Sequence, residues 1–190
     1  MDLHQWMLAD LAAVRSKLFD SVAALIPTER WLEAVDGGGS TVTHLVFHIA
    51  RHQDLAVNSV ARQQDALYLA RRESLGTSQA PVGAGLAEKE DPAITALVRP
   101  DALIDYVRAV FDGTDEWLRR LGSPALDAVP DAAGGLTEHA LLTQAEFGWL
   151  YRMWNDKAIW WFAQWPVIGH GNAHVGEGIS VRNRMGLSPF

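Results

Sequence analysis

Thr41-Val42-Thr43-His44-Leu45-Val46-Phe47-His48-Ile49-Ala50-Arg51-His52-Gln53-Asp54-Leu55-Ala56 is the stretch whose reading decides the fold. Leu45, His48, Ile49, His52, Leu55 and Ala56 return at intervals of three and four, which places them on one face of a helix. Ser40 or Thr41 offers a hydroxyl to cap its start, and the helix is predicted to run from Thr41 to about Gln64. His48 and His52 therefore share a stripe that would otherwise be fully apolar. A helix that turns imidazoles toward a core needs other helices around it.

The segments on either side supply them. From Leu3 to Ile26 the apolar residues Leu8, Leu11, Leu18, Val22 and Leu25 keep helical spacing, and Pro27 ends the run. Residues 28–39 carry Trp31 and the flexible run Gly37-Gly38-Gly39. Beyond the quoted stretch, Gly76, Pro81, Gly83, Gly85 and Pro92 break the pattern, and 67–99 is read as a long loop. Pro100 suits the first turn of a third helix whose stripe is Leu103, Val107, Val110, Trp117, Leu118 and Leu121, with Gly122 at its C-cap. After a linker at 122–136, Thr137 caps a stretch reaching about Trp165, with five of the chain's eight tryptophans read mainly as core. Pro166 restarts the chain into a last helix that ends at Met185 before Gly186. Its Gly169, Gly171, Gly176 and Gly178 each cost about 1 kcal/mol relative to alanine, so close packing or a bound group must hold it. No segment sustains period-two alternation. The expected architecture is all-α, an antiparallel four-helix bundle in one domain spanning 1–190, with a long loop after the second helix.

Composition narrows the function. A net charge of −7 with no basic block argues against nucleic acid. The most apolar run, Phe147 to Gly169, contains Arg152, Asp156 and Lys157, so no membrane span is expected. Met1-Asp2-Leu3-His4-Gln5-Trp6 lacks the basic and apolar regions of a secretory leader, and a cytoplasmic location is expected. There is no cysteine, which excludes disulfides and thiolate ligands and leaves histidine as the main metal ligand.

The seven histidines form three His-x-x-x-His pairs, His44/His48, His48/His52 and His170/His174. A shuffled chain would hold about a quarter of one such pair. An i, i+4 pair sets two imidazoles on one helical face within reach of one ion. The surroundings of the last pair, His170-Gly171-Asn172-Ala173-His174-Val175-Gly176-Glu177 with Ile179, Val181, Arg182, Arg184, Gly186 and Leu187 after it, resemble the last helix of the DinB-like superfamily. That superfamily includes the amino-terminal domain of mycothiol-dependent maleylpyruvate isomerase and related thiol transferases. The resemblance implies a four-helix bundle with a three-histidine metal site, one ligand from the second helix and two from the last. On that match His48, two turns in from Thr41, is the first ligand, and His170 and His174 are the others. His44 and His52 compete on the same helix, and His52 is placed as an orienting or cavity residue. Glu177 could orient an imidazole, or could be a plain surface carboxylate. Trp154 and Trp161 are candidate cavity walls.

Three neutral imidazoles leave an open coordination position and suit one divalent ion such as zinc or nickel. The resemblance implies that a low-molecular-weight thiol is activated there and transferred to an electrophilic substrate. A composition rich in Ala, Asp and Arg fits a GC-rich bacterial source, and so mycothiol over bacillithiol. A metal-binding or stress-response protein without turnover, and a metal-dependent hydrolase, are the competing readings. The sequence leaves a homodimer open.

Overall fold

The first apolar stripe winds into α1 (Leu3–Ser16) and runs on through a wide π-helical stretch at Lys17–Ala23. Its buried positions are Met7, Leu11, Val14, Leu18 and Val22, while Leu25 of the expected stripe is exposed. A computed structural model describes residues 3–190; Met1 and Asp2, part of the stretch searched above for a leader, lie outside the described residues. Next comes α2 (Val42–Asp54), capped by Thr41, whose hydroxyl accepts from the His44 N–H at 3.2 Å. It continues as a π stretch, Leu55–Ala61, three residues short of the expected end. Then follow α3 (Leu67–Leu75), the single turn α4 (Pro92–Thr95), α5 (Pro100–Arg120), the short α6 (Ala132–Gly134), α7 (Gln144–Trp154), α8 (Ile159–Phe162) and α9 (His170–Arg184). Among the described residues there is no strand, and no helix is long and apolar enough to cross a membrane.

Every residue of α2 is buried, not one face alone. It packs against α5 and α9, and α1 packs against the same two helices, so the core runs from Met7 to Val181 as one cluster. α9 lies close to α1 because it is rich in glycine: a Cβ at Gly171 would stand 2.9 Å from Val14, and one at Gly178 would stand 3.2 Å from Val22. A Cβ at Gly169 would stand 2.9 Å from the Trp165 ring, so close packing explains three of the four glycines, and only Gly176 has open space around it.

Three boundaries differ from expectation. The segment 67–99 is not one loop, since α3 occupies its start. No local side chain caps the start of α3; the Asp54 carboxylate does so from α2, accepting from the N–H groups of Leu67 at 3.0 Å and Tyr68 at 2.9 Å. Nor does Pro166 restart the chain. It sits inside the π stretch Ala163–Gly169 that joins α8 to α9, where a widened turn accommodates a residue lacking an N–H. The expected fourth helix, 137–165, breaks between Trp154 and Ile159. The tryptophans within it are not mainly core either: Trp154 is buried, but Trp149, Trp160 and Trp165 are exposed.

Asp54 is the most heavily used buried carboxylate, for it also accepts from the Tyr106 hydroxyl and the Asn58 amide at 2.8 Å each. Asp54→Ala should strand those four donors and lower stability by about 3 kcal/mol or more in urea unfolding, whereas Tyr106→Phe, which removes one bond, should cost about 1 kcal/mol. Equal costs for the two would contradict this account.

Candidate metal centre

Polar side chains of α2 hold the segment that follows α3. His48 Nδ1–H donates to the Gly85 carbonyl at 2.8 Å, and His52 Nε2–H donates to that of Leu86 at 3.1 Å. Arg51 donates to Ala84 at 3.0 Å and to Val82 at 2.8 Å, with its guanidinium 3.7 Å from the centre of the Tyr68 ring. Carbonyls pressed against a buried helix lose water, and these donors replace it. Gly85 is required here: its φ is +81, and a Cβ would stand 2.6 Å from the Phe47 ring. Further along, Glu90 accepts from the Thr41 N–H and hydroxyl at 2.7 Å each. Between these two anchors the chain delivers Glu88.

α9 brings two more imidazoles. His170 Nε2 lies 3.1 Å from His48 Nε2, and the rings of His48 and His174 are 4.7 Å apart. Glu88 places one carboxylate oxygen 3.6 Å from His48 Nε2 and 3.9 Å from His170 Nε2, and the other 3.6 Å from His174 Nε2. His48, Glu88, His170 and His174 each offer a ligand atom within 4.8 Å of the others.

Hydrogen bonding decides which nitrogens are bare. Gly85 O can only accept, so His48 Nδ1 carries the proton and Nε2 presents its lone pair inward. Glu177 accepts from His174 Nδ1–H at 3.3 Å and from the Ser40 N–H at 3.4 Å, which turns the His174 Nε2 lone pair toward Glu88. Lone pairs and a carboxylate thus converge with no donor among them, unless His170 Nε2–H points at His48. His170 Nδ1 is buried without a hydrogen-bond partner in either tautomer. A cation satisfies the converging donors at once. A tetrahedral zinc with ~2.0–2.1 Å bonds needs ligand nitrogens ~3.3 Å apart, close to the separation of His48 and His170.

Burial keeps His48 and His170 neutral. Desolvation, joined by the neighbouring histidines and opposed by the Gly85 bond, brings His48 down to about 4; desolvation with the nearby His48 and His174 brings His170 to about 3. Burial lowers His44 as well, and lowers His52 well below its ordinary value, with His170 and His48 adding to the effect.

The three histidines singled out in the sequence therefore meet, and Glu177 bonds one of them. His52 spends Nε2 on Leu86 and contributes to the wall of the site. His44 stacks on His48 with ring centres 5.3 Å apart, and lines a separate cavity of about 220 Å³ with Phe47 and Phe147. A cleft over His52, Glu88 and His170 is walled by Trp149, Met153, Trp154, Trp165 and Pro166. Trp154 is thus in place, but Trp161 packs on Phe162 at 5.2 Å, away from the cleft. Sequence reading missed Glu88; its one signal is an acidic cluster, Glu88, Glu90 and Asp91, in a segment read as a long loop. Compared with protein-family models, curated proteins and solved structures, the chain gives no match to any of the three.

The buried imidazoles make stability pH-dependent. In the unfolded chain they titrate near 6.5, whereas His48 and His170 stay neutral in the folded chain down to about 4 and about 3. The unfolded state therefore binds more protons below about 6.5, and stability, complete above that pH, falls as pH drops toward 4. Chelator-treated protein should lose at least about 2 kcal/mol between pH 7 and pH 5 in urea titrations. A flat profile over that window would show that the cluster is not buried and neutral.

Proposed function

We propose that this protein is a metal-dependent thiol S-transferase of the DinB-like type, with its main helices arranged as an antiparallel four-helix bundle around one divalent ion. His48, His170 and His174 would hold the ion, zinc or nickel by their donor type, and Glu88 would be the fourth donor or the adjacent base. The observation that carries this reading is the convergence of bare imidazole nitrogens and one carboxylate on a single point, with His48 and His174 locked in the required tautomer by Gly85 and Glu177. The histidine spacing and the sequence around His170 and His174 support the family assignment.

A bound divalent ion supplies Lewis acidity that favours the ionised form of a thiol near neutral pH. The chain's own residues do the rest. Glu88, with its side chain 71% exposed, is reachable from solvent and can take the thiol proton and release it to water. Gly85 and Glu177 keep the His48 and His174 nitrogens aimed inward. Trp154, Met153 and Pro166 exclude water from the wall beside His170. In the overall transfer an S–C bond forms as the bond from carbon to its leaving group breaks, the leaving group departs with the electron pair, and the thiol proton ends in solvent. Lacking cysteine, the chain takes its sulfur from a small thiol, mycothiol by preference.

Glu88 also favours a second reading, hydrolysis, since the same carboxylate could take a proton from water.

Elemental analysis of the purified protein should find about one zinc or nickel per chain, and His170→Ala or His174→Ala should abolish it, with His44→Ala leaving it intact. The loaded protein should conjugate mycothiol to monochlorobimane, with His174→Ala at background and Glu88→Gln slowed at least ~100-fold if it handles the proton. Metal without conjugation of mycothiol, bacillithiol or glutathione would sink the transferase reading and leave a metal-binding protein.

A further inference from the structure

The cavity of about 220 Å³ beside His44 takes no part in the metal centre, since none of the four clustered ligand residues lines it. Its walls are chiefly apolar: the rings of Phe47 and Phe147, with Pro81, Ala84, Ala87 and Ile94. Two glycines make room for the rings. A Cβ at Gly83 would run into Phe147, and one at Gly85 would stand 2.6 Å from Phe47. An apolar cavity of about 150 Å³ is enough to hold benzene. This one therefore has room for a ring with two or three further heavy atoms, and it opens to solvent on one side, where a polar end can stay wet.

The charges of the wall set the class of the guest. Lys89 lines the cavity within the run Glu88-Lys89-Glu90-Asp91, yet each neighbouring carboxylate is turned to another partner. Glu88 faces the imidazoles, Glu90 accepts from Thr41 and from the Thr95 hydroxyl, and Asp91 accepts from the Ala93 N–H at 2.9 Å. Among the described residues none pairs with the Lys89 ammonium. Thr95, also in the wall, has its hydroxyl proton committed to Glu90 or to the Asp91 carbonyl, and His44 stacks on His48. A cationic guest would meet Lys89 with no free carboxylate to offset it, whereas an anionic end gains a charged hydrogen bond. We propose that this cavity binds a small carboxylate with an apolar body, the body against Phe47 and Phe147 and the carboxylate paired with Lys89. Such a guest needs neither the metal nor a thiol.

Phenylacetate and phenylacetamide carry the same body with and without the charge. Each is titrated into isotope-labelled protein as purified, and affinity is read from backbone amide shifts. Phenylacetate should bind saturably in the millimolar range or below, with shifts centred on Gly83, Ala84, Ala87 and Thr95, and the amide about three- to fivefold more weakly, the effect of one exposed ion pair. Lys89→Ala should remove that preference. Phe147→Ala should weaken both probes ~10-fold, and Phe147→Leu, which keeps an apolar side chain there, should recover part of the affinity. The thermal midpoint of each variant reports whether the fold is intact. His174→Ala, expected to carry no metal, should bind phenylacetate as the unaltered protein does. Loss of binding in that variant, with shifts centred on His48 and His170 in the unaltered protein, would put the carboxylate on the metal and overturn the proposal. So would equal binding of acid and amide, a Lys89→Ala protein that keeps the preference, or a Phe147→Ala protein of unchanged affinity. Binding with the expected dependence on Lys89 and Phe147 would uphold the site even if no thiol is conjugated, and would leave the transferase reading to its own test.

Discussion

Four donations from one face of α2, made by His48, Arg51 and His52 to the carbonyls of Val82, Ala84, Gly85 and Leu86, are the constraint on which the centre depends. A segment laid across a fully buried helix must find partners for its carbonyls or lose several kcal/mol for each. Here the helix supplies them from side chains that would be costly to bury alone. One set of bonds therefore solves two problems. It hydrates the segment with protein atoms, and it gives two imidazoles and a guanidinium a reason to be inside.

The same seat fixes chemistry. The bond to Gly85 sets the His48 tautomer, so that Nε2 faces α9 as a lone pair, and the chain three residues beyond Gly85 presents Glu88 to that nitrogen. From the other side, α9 is drawn onto α1 through Gly171 and Gly178. On the same helix His170 lies about 100° and His174 about 60° around from Gly171, on the side toward α2, while the glycines face α1. Close packing on one side of α9 thus sets the distance at which its imidazoles meet His48. The wide turn around Pro166 leads directly into His170 and places Trp165 at the edge of the cleft.

Electrostatics follows from this packing. Four imidazoles, His44, His48, His52 and His170, are buried among one another, and desolvation holds each below its ordinary pKa. Neutral imidazoles are what a cation needs, and protonated ones would repel it and each other. The protein accepts a loss of stability in acid as the consequence of keeping them ready at neutral pH.

Much was legible in the residues themselves. Helical spacing located α1, α2, α5 and α9, Thr41 announced its own capping role, and the pairs at His44/His48 and His170/His174 pointed to imidazoles on two helices, because a helix repeats every 3.6 residues wherever it sits. Periodicity carries no information about partners far along the chain. Asp54 caps α3 from thirteen residues upstream, so 67–99 read as a loop; Pro166 is absorbed by a widened turn whose neighbours hold it in place; Trp149 and Trp165 look like core until the fold leaves them at a cleft. Glu88 stands in an unremarkable acidic run, and only the carbonyls seated on His48, Arg51 and His52 put it beside the imidazoles. Local pattern sets which faces are apolar and which residue types are available. The tertiary structure alone decided which of them meet, because meeting depends on distances closed by bonds between segments tens of residues apart.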